Sequence, residues 1–152
     1  MNDRVCISSV IGPLTLEASD NGLVCIHFKK LKDRGNPKNP HIVKALKQLT
    51  EYFQGKRHRF ELTLDLNGSE FQLRTWQGLQ KIPFGKTWSY QELAQKIGAK
   101  NGARAVGMAN GKNPLPIIIP CHRVIGANGT LTGYAGGLPI KKALLNLEGH
   151  KF

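Results

Sequence analysis

The sequence predicts a mixed α/β (α+β) fold in two parts: a small sheet carrying one helix, then a mostly helical region with a helix-turn-helix. Three observations predict it. Before residue 67, apolar residues alternate with polar ones in short runs, the period of half-buried strands. After it, two capping boxes open segments with an apolar stripe. And 152 residues, 40% of them apolar and 21% charged, can bury a core without disulfide or metal support. The expected parts are residues 1–67 and 68–152.

In the first part, Leu14 and Leu16 alternate with Thr15 and Glu17. Beyond the turn Asp20-Asn21-Gly22, Val24, Ile26 and Phe28 alternate with Cys25 and His27, which makes a hairpin. The basic, Pro- and Asn-rich residues 33–40 read as a loop. A helix follows, with Ile42, Leu46, Leu49 and Phe53 on one face, Asn39 as N-cap and Gly55 beyond its end. Residues 60–66, FELTLDL, alternate as a further strand, so the sheet has three or four strands. Nothing in this part looks catalytic.

In the second part, Ser69-Glu70-Phe71-Gln72 opens a helix with Phe71, Thr75, Trp76 and Leu79 inward. After a turn at IPFGK (82–86), Ser89-Tyr90-Gln91-Glu92 opens another, with Leu93 and Ile97 inward and Gly98 past its end. A further helix over GARAVGMAN (102–110) completes the helix-turn-helix pattern. The last helix starts at Pro139 and packs Ile140, Leu144 and Leu147, with Gly149 beyond.

The charge balance narrows the function. Lys and Arg total 22 against 10 for Asp and Glu, a formal net charge of +12, which points to an anionic partner, most often nucleic acid. No apolar run approaches a membrane span, and MNDRVCISS lacks the apolar core of a signal peptide, so no membrane partner is expected. Cys6, Cys25 and Cys121 are expected as free thiols in a reducing compartment, the cytoplasm or the nucleoid. A zinc site from Cys6, Cys25 and His27 has no CxxC or HxxxH spacing behind it, and two packed strand cysteines are the simpler reading.

The helix over 102–110 is built of tiny residues, among them Ala103, Ala105 and Gly107, and keeps one basic side chain, Arg104, in its first turn. Reading bases in the major groove needs long polar side chains, which are missing. Close approach to the minor groove with one projecting probe fits better. Tight packing of a small-residue helix inside the domain is the alternative, and the charge excess with Lys96, Lys100 and Lys112 nearby favours nucleic acid.

The stretch IIIPCHRVIG (117–126) sets a cysteine beside a histidine and an arginine. Residues 116–120, bracketed by prolines, read as a buried extended segment, with Cys121 where the chain turns. Adjacent strand residues face opposite ways, so Cys121 and His122 cooperate only if the chain bends into a helical turn or a water bridges them. Histidine and positive charge both favour thiolate, and Arg123 adds positive potential. Glu148 sits in the final turn of its helix, where the dipole disfavours a carboxylate, one turn from Leu144. It reads either as the group that orients His122 or as a surface glutamate on a frayed end.

Together, FQLRTW (71–76), SYQELA (89–94), ARAVGMANGKNP (103–114), IPCHRVIG (119–126), GYAGGL (133–138) and LEG (147–149) closely resemble the 6-O-alkylguanine-DNA alkyltransferases, the methylated-DNA–protein-cysteine methyltransferase family. The resemblance covers about residues 69–149, and the PCHRV block is highly specific. The first part is similar only in its coarse order of strands and helix, like the small ribonuclease-H-like domain of that family. The resemblance implies direct repair of double-stranded DNA. A damaged guanine is flipped out, and the alkyl group of 6-O-methylguanine, or of 4-O-methylthymine, passes to the protein's own cysteine, once per molecule and without a cofactor. Carried over by position, Cys121 is the acceptor, His122 its base through a water, and Glu148 the orienter of His122. Arg104 is the finger that fills the vacated stack. Tyr90 crowds the phosphate and helps protonate the leaving guanine, and Asn113 ties the recognition helix to the active-site strand. Tyr134 and Lys141 line the base pocket or stabilise the leaving guanine, with Pro116, Ala135 and Gly136 beside them. Gln72, Gln91, Lys100, Ala103 and Gly107 match DNA-contacting positions. A monomer is implied, with clustering on DNA left open.

Two departures matter. Some relatives hold zinc in the first domain, but Ser19 and Val24 occupy two of those ligand positions, so no metal is expected there. Ala135 stands where some relatives carry a hydroxyl, which leaves tolerance of larger alkyl groups open. Three rival readings are weaker. A non-catalytic alkyltransferase-like binder would lack the thiol. A sequence-specific regulator would need base-reading side chains after Gly102, and a cysteine hydrolase a histidine distant in sequence.

Overall fold

The computed structural model describes residues 2–152, which divide into two compact units, one ending at Leu66 and one spanning Asn67–Phe152. No helix among the described residues is long and apolar enough to cross a membrane.

The first unit is a three-stranded antiparallel sheet in the order β1 (Asp3–Ser9), β2 (Gly12–Ala18), β3 (Leu23–His27), with α1 (Pro40–Phe53) packed on β2. The hairpin through Asp20-Asn21-Gly22 forms as expected, pairing Leu16 with Ile26 and Glu17 with Cys25. Strand alternation sends Leu14, Leu16 and Ala18 into the core and Glu17 to the other face. Ile42, Ala45, Leu49 and Tyr52 of α1 are buried with that core, whereas Leu46 and Phe53, expected inward, are half-buried. The stripe turns toward Tyr52 because α1 also spends Gln48 on the chain that follows it.

That use of Gln48 explains a correction. Residues 60–66 do not form the expected strand; they touch the sheet through one bridge, Leu23 to Leu64. The Gln48 side chain donates to Glu61 O at 3.1 Å and accepts from Glu61 N at 2.9 Å, so a side chain takes the groups a ladder would have used. At Gly22 an added Cβ would lie 2.7 Å from Thr63 O, so only glycine lets this segment close on the hairpin. β1 was anticipated only in the reading of Cys6 as a strand cysteine, although Val5 and Ile7 alternate with Arg4, Cys6 and Ser8.

The second unit holds α2 (Glu70–Leu79), α3 (Tyr90–Lys96), α4 (Ala103–Gly111) and α5 (Leu138–Leu147). Both expected capping boxes are present: Ser69 with Gln72, and Ser89 with Glu92. Thr75, Trp76, Gly78 and Leu79 are the buried residues of α2, and Phe71 is half-buried. Trp76 Nε1 donates to Ala109 O at 2.9 Å, fixing α2 to α4, and a Cβ on Gly78 would reach within 2.5 Å of Ile97 Cγ2. β4 (Trp88–Ser89) and β5 (Val124–Ile125) form a short parallel pair that brings the start of α3 to the PCHRV segment. α5 buries Lys141, Leu144 and Leu145; Ile140 and Leu147, expected inward, are half-buried. The stripe is rotated because a lysine, not an isoleucine, points into the unit.

Asn39 caps α1 by accepting from His41 N at 2.9 Å, and its amide donates to Asp3 Oδ2 at 2.8 Å and Ser19 O at 3.2 Å. Asn39→Ala should therefore lower stability by about 2 kcal/mol, the upper end for a lost cap, read as a shift in the urea midpoint of the intact chain.

Candidate active site

Cys121 opens a 3-10 turn, Cys121–Arg123, and residues 115–124 are buried throughout. The segment before it is buried as expected but not extended. Ile119 N bonds to Leu115 O at 2.8 Å and Cys121 N to Ile119 O at 2.7 Å, and Ile117 has φ +77°. Left-handed backbone at a β-branched residue is strained, on the order of 1–3 kcal/mol. Asn113 holds the turn closed. Its amide donates to Ile119 O at 2.8 Å and its carbonyl accepts from Leu115 N at 3.0 Å. The prolines excluded a helix, and the tight turn replaced a strand because a side chain supplies its hydrogen bonds.

The 3-10 turn removes the obstacle of opposite-facing neighbours and sends His122 and Arg123 toward one carboxylate. His122 Nε2 lies 2.7 Å from Glu148 Oε2. Arg123 donates from Nε to Glu148 Oε1 at 2.7 Å and from Nη2 to Oε2 at 3.0 Å. Arg123 Nη1 also donates to Ile82 O at 2.7 Å. Of the two readings of Glu148, the surface one is excluded: the residue is 4% exposed and caps α5. Burial alone would raise its carboxyl, but the hydrogen bonds from His122 and Arg123 outweigh that and hold it at about 2. Burial keeps His122 below its ordinary value against the pull of Glu148, so the imidazole is neutral. Its Nδ1 is buried and has no hydrogen-bond partner among the described residues.

Burial pushes the Cys121 thiol up to about 11, opposed by the neighbouring Asn113, Lys141 and Tyr134. Lys141 is fully buried and brought down to about 8 by desolvation, with Cys121 acting the other way. Its ammonium donates to Val124 O at 2.6 Å and Thr132 O at 3.2 Å. Tyr90, the first residue of α3, has its hydroxyl 2.6 Å from Thr132 Oγ1. Of the expected pocket residues, Pro116 is buried, Tyr134 and Gly136 are half-buried and Ala135 is exposed.

The other expected DNA-facing residues lie on α2, α3 and α4 and in the turn before α4. Arg104 is exposed on the first turn of α4, Lys100 is exposed before it and Ala103 is half-buried. A Cβ on Gly107 would meet the Tyr90 ring at 3.6 Å. Gln91 donates to Lys100 O at 2.8 Å, and Gln72 Oε1 accepts from Ser69 N at 3.0 Å, so both glutamines also brace the turns that carry them. Two site residues went unread in the sequence. Arg123 was taken only as a source of positive potential, although a guanidinium inside an apolar run demands a buried acid. Thr132 offered no signal, since its loop pairs it with distant residues.

In the first unit, Glu17, Cys25 and His27 place one ligand atom each within 4.8 Å of one another. The set does not fit a cation. Glu17 already receives His27 at 3.0 Å and the guanidinium groups of Arg34 at 3.2 Å and Arg4 at 3.6 Å, which puts positive charge where the ion would sit. Ser19 Oγ bonds instead to Asp65 Oδ2 at 2.6 Å.

The architecture is thus that of a protein that joins a helix-turn-helix to a buried thiol with its own histidine and carboxylate. Residues 70–150 match the model of the 6-O-methylguanine DNA methyltransferase DNA-binding domain, and residues 5–66 that of the ribonuclease-like domain of the same protein class. The chain belongs to the 6-O-methylguanine DNA methyltransferase family. It is 49% identical over 149 residues to the methylated-DNA–protein-cysteine methyltransferase of Mycobacterium bovis, covering 93% of this chain and 89% of that one. The corresponding protein of Methanosarcina acetivorans is 46% identical over 147 residues, covering 93% and 94%. The crystal structure of Mycobacterium tuberculosis OGT in complex with DNA superposes with a TM-score of 0.87 at 48% identity, covering 95% of this chain and 91% of that one.

Because the Glu148 carboxyl ionises at about 2 in the folded chain against an ordinary 4.5, its contribution to stability is complete above pH 4.5 and is lost as the pH falls toward 2. That contribution is about 3 kcal/mol. Glu148→Gln should lower stability by this amount at pH 6, in urea unfolding, and flatten the acid dependence that the unaltered chain shows as the pH falls from 4.5 toward 2.

Proposed function

We propose that the chain repairs DNA directly, moving the alkyl group of a 6-O-alkylated guanine in the duplex onto Cys121 in a single irreversible step. The observation that carries this reading is a buried thiol set beside a histidine that is itself fixed by an ionised carboxylate, in the unit that also presents the helix-turn-helix.

The thiol must lose its proton to react, and at about 11 it holds that proton firmly, an ionisation cost on the order of 5 kcal/mol at neutral pH. The neutral His122 is a competent acceptor, reached from Cys121 through a water at Nδ1, and Glu148 stabilises the imidazolium that forms. Arg123 keeps Glu148 ionised and in place. The sulfur then attacks the alkyl carbon as the bond from carbon to the guanine oxygen breaks, and the departing guanine takes a proton, for which Tyr90 is the candidate donor. Lys141 beside the sulfur stabilises the thiolate. The product is a thioether, which ordinary reductants do not reverse, so each molecule acts once.

The target atom is out of reach inside a stacked duplex, so the base must be extruded at a cost of a few kcal/mol. Arg104, exposed on α4, fills the vacated place, and the small outer face of that helix admits the backbone of the minor groove. Lys100, Gln91 and Gln72 contact phosphates. Of the chain's acidic residues beyond residue 67, Glu70 and Glu92 lie in helix first turns and Glu148 is buried, so the DNA-facing helix carries no acidic side chain.

Mass spectrometry after mixing with excess duplex carrying one 6-O-methylguanine should find one added methyl group, on the peptide containing Cys121. Tight binding with no mass gain would replace transfer by damage recognition alone. Arg104→Ala should slow repair in duplex at least tenfold more than reaction with free 6-O-benzylguanine; equal losses would remove the finger role. Affinity for duplex should fall steeply between 50 and 200 mM salt, roughly as counterion release predicts, and a flat response would contradict phosphate contact.

A further inference from the structure

The charges of the first unit are sorted. Asp3 accepts from Asn36 N and the Asn39 amide, Asp33 from Cys6 N, and Asp65 from Ser19, while Glu17 is closed in by Arg34, Arg4 and His27 and Glu51 by Arg57. Asp20 in the hairpin turn and Glu61 are the acids outside such contacts among the described residues. Three arginines are thus engaged, and the other cations are exposed and in no ion pair among the described residues. They fall into two groups: Lys29, Lys30, Lys32 and Lys38 on the loop before α1, and Lys44, Lys47, Lys56 and Arg59 on α1 and just after it. The loop lysines are interspersed with Asp33 and with the bonds to Asp3 and Glu17 that tie the loop to the sheet. The outer face of α1 is different. Its exposed residues include Val43, Lys44, Lys47, Thr50 and Gln54, and the one acid of the helix, Glu51, is half-buried and drawn to Arg57. Lys44 and Lys47, one turn apart, repel each other on that face.

The turn after α1 is fixed by hydrogen bonds. Gly55 takes φ +75°, Lys56 N donates to Glu51 O at 2.8 Å, and Arg57 donates to Glu51 Oε1 at 2.9 Å and to Arg59 O at 2.8 Å. One arginine is therefore used inside the protein to hold the backbone that presents two further cations, Lys56 and Arg59. Attraction to the helix C-terminus accounts for Lys56, but not for Lys44 and Lys47 in the body of the helix. We infer that the outer face of α1 and the turn over 55–59 form a second, sequence-independent contact for the phosphate backbone of duplex DNA, additional to the contact made by α4. A single small anion needs donors that converge on one point, whereas cations spread along a helix match a row of phosphates. From Lys44 to the end of α1 is about 14 Å at 1.5 Å per residue, the length of roughly four nucleotides of one strand. Such a contact reads neither sequence nor lesion, so it serves the search along DNA and not the alkyl transfer.

The test measures affinity for an unmodified duplex as a function of salt, in the full chain and in two fourfold variants. One carries Lys44→Gln, Lys47→Gln, Lys56→Gln and Arg59→Gln. The other loses the same charge from the loop, through Lys29→Gln, Lys30→Gln, Lys32→Gln and Lys38→Gln. In the α1 variant the slope of log affinity against log salt should be shallower by about 3, with affinity at low salt down about tenfold or more, the loss of three or four phosphate contacts. The loop variant should change the slope by less than about 1. Lys44→Gln/Lys47→Gln alone, which leaves the turn untouched, should give about half the effect of the fourfold α1 variant. All three should keep the urea midpoint of the unaltered chain. An unchanged slope in both α1 variants overturns the inference and makes this a solvated face. An equal change in the loop variant overturns it too, since net charge alone would then set the affinity. Because the duplex carries no lesion, the result is independent of alkyl transfer: a chain that takes no methyl from DNA would lose the repair reading and keep this contact.

Discussion

The carboxylate of Glu148 is the constraint on which the second unit depends. It lies in the interior with a histidine and an arginine closed around it, and Arg123 extends the network to Ile82 O and over the Phe84 ring at 5.8 Å. One acid thus joins the turn after α2, the active-site turn and the end of α5. Moving these charges out of water costs several kcal/mol per ion, and the bidentate geometry offsets much of it. A pair of well-packed apolar residues would hold the fold as well. What they could not do is fix the imidazole with its Nε2 on an anion and its Nδ1 free, which is the chemical reason to tolerate the cost.

Around that centre the site stores reactivity rather than displaying it. The same burial that raises the Cys121 thiol lowers His122 and Lys141, so the thiol keeps its proton beside an uncharged imidazole while the Lys141 ammonium holds its charge less firmly than an exposed lysine. A free, low thiol would be alkylated by any small electrophile, and for a nucleophile used once that loss is permanent. The strain at Ile117 belongs to the same arrangement. Asn113 bonds both Leu115 and Ile119, holding a left-handed isoleucine inside the turn that aims the cysteine, and the buried side chains of residues 115–120 leave it no room to relax.

Much of this was legible in the sequence because it is local. The DNG hairpin, the Asn39 cap and both capping boxes are written in residues within four positions of one another, and each formed as read. The family was legible from PCHRV and its spaced companions. What escaped reading depends on contacts far apart in the chain. Residues 60–66 alternate like a strand, yet Gln48, thirteen positions back from Glu61, claims the backbone groups. Residues 116–120 look extended until Asn113 is seen to close them. Lys141 falls inside and Ile140 at the margin because an ammonium with three carbonyl and hydroxyl acceptors can be buried, which no hydropathy pattern conveys.

The small residues of α4 were open to two readings, internal packing or approach to a partner, and the burial of the helix bears on the first. The residues of α4 that face the core are Val106, Ala109 and Asn110. Ala105 is exposed, and a Cβ at Gly111 would meet nothing within 4 Å. At Gly107 it would make only an ordinary contact with the Tyr90 ring, at 3.6 Å. Packing therefore does not require these positions to be small, although each glycine costs the helix about 1 kcal/mol relative to alanine. Nothing inside the unit offsets that cost. It is offset if the small outer positions of α4 must lie closely against another surface, with Arg104 and Met108, both exposed on this helix, as the long side chains that reach toward it. A sugar–phosphate backbone in the minor groove is such a surface, and the absence of acidic side chains on this helix suits its charge.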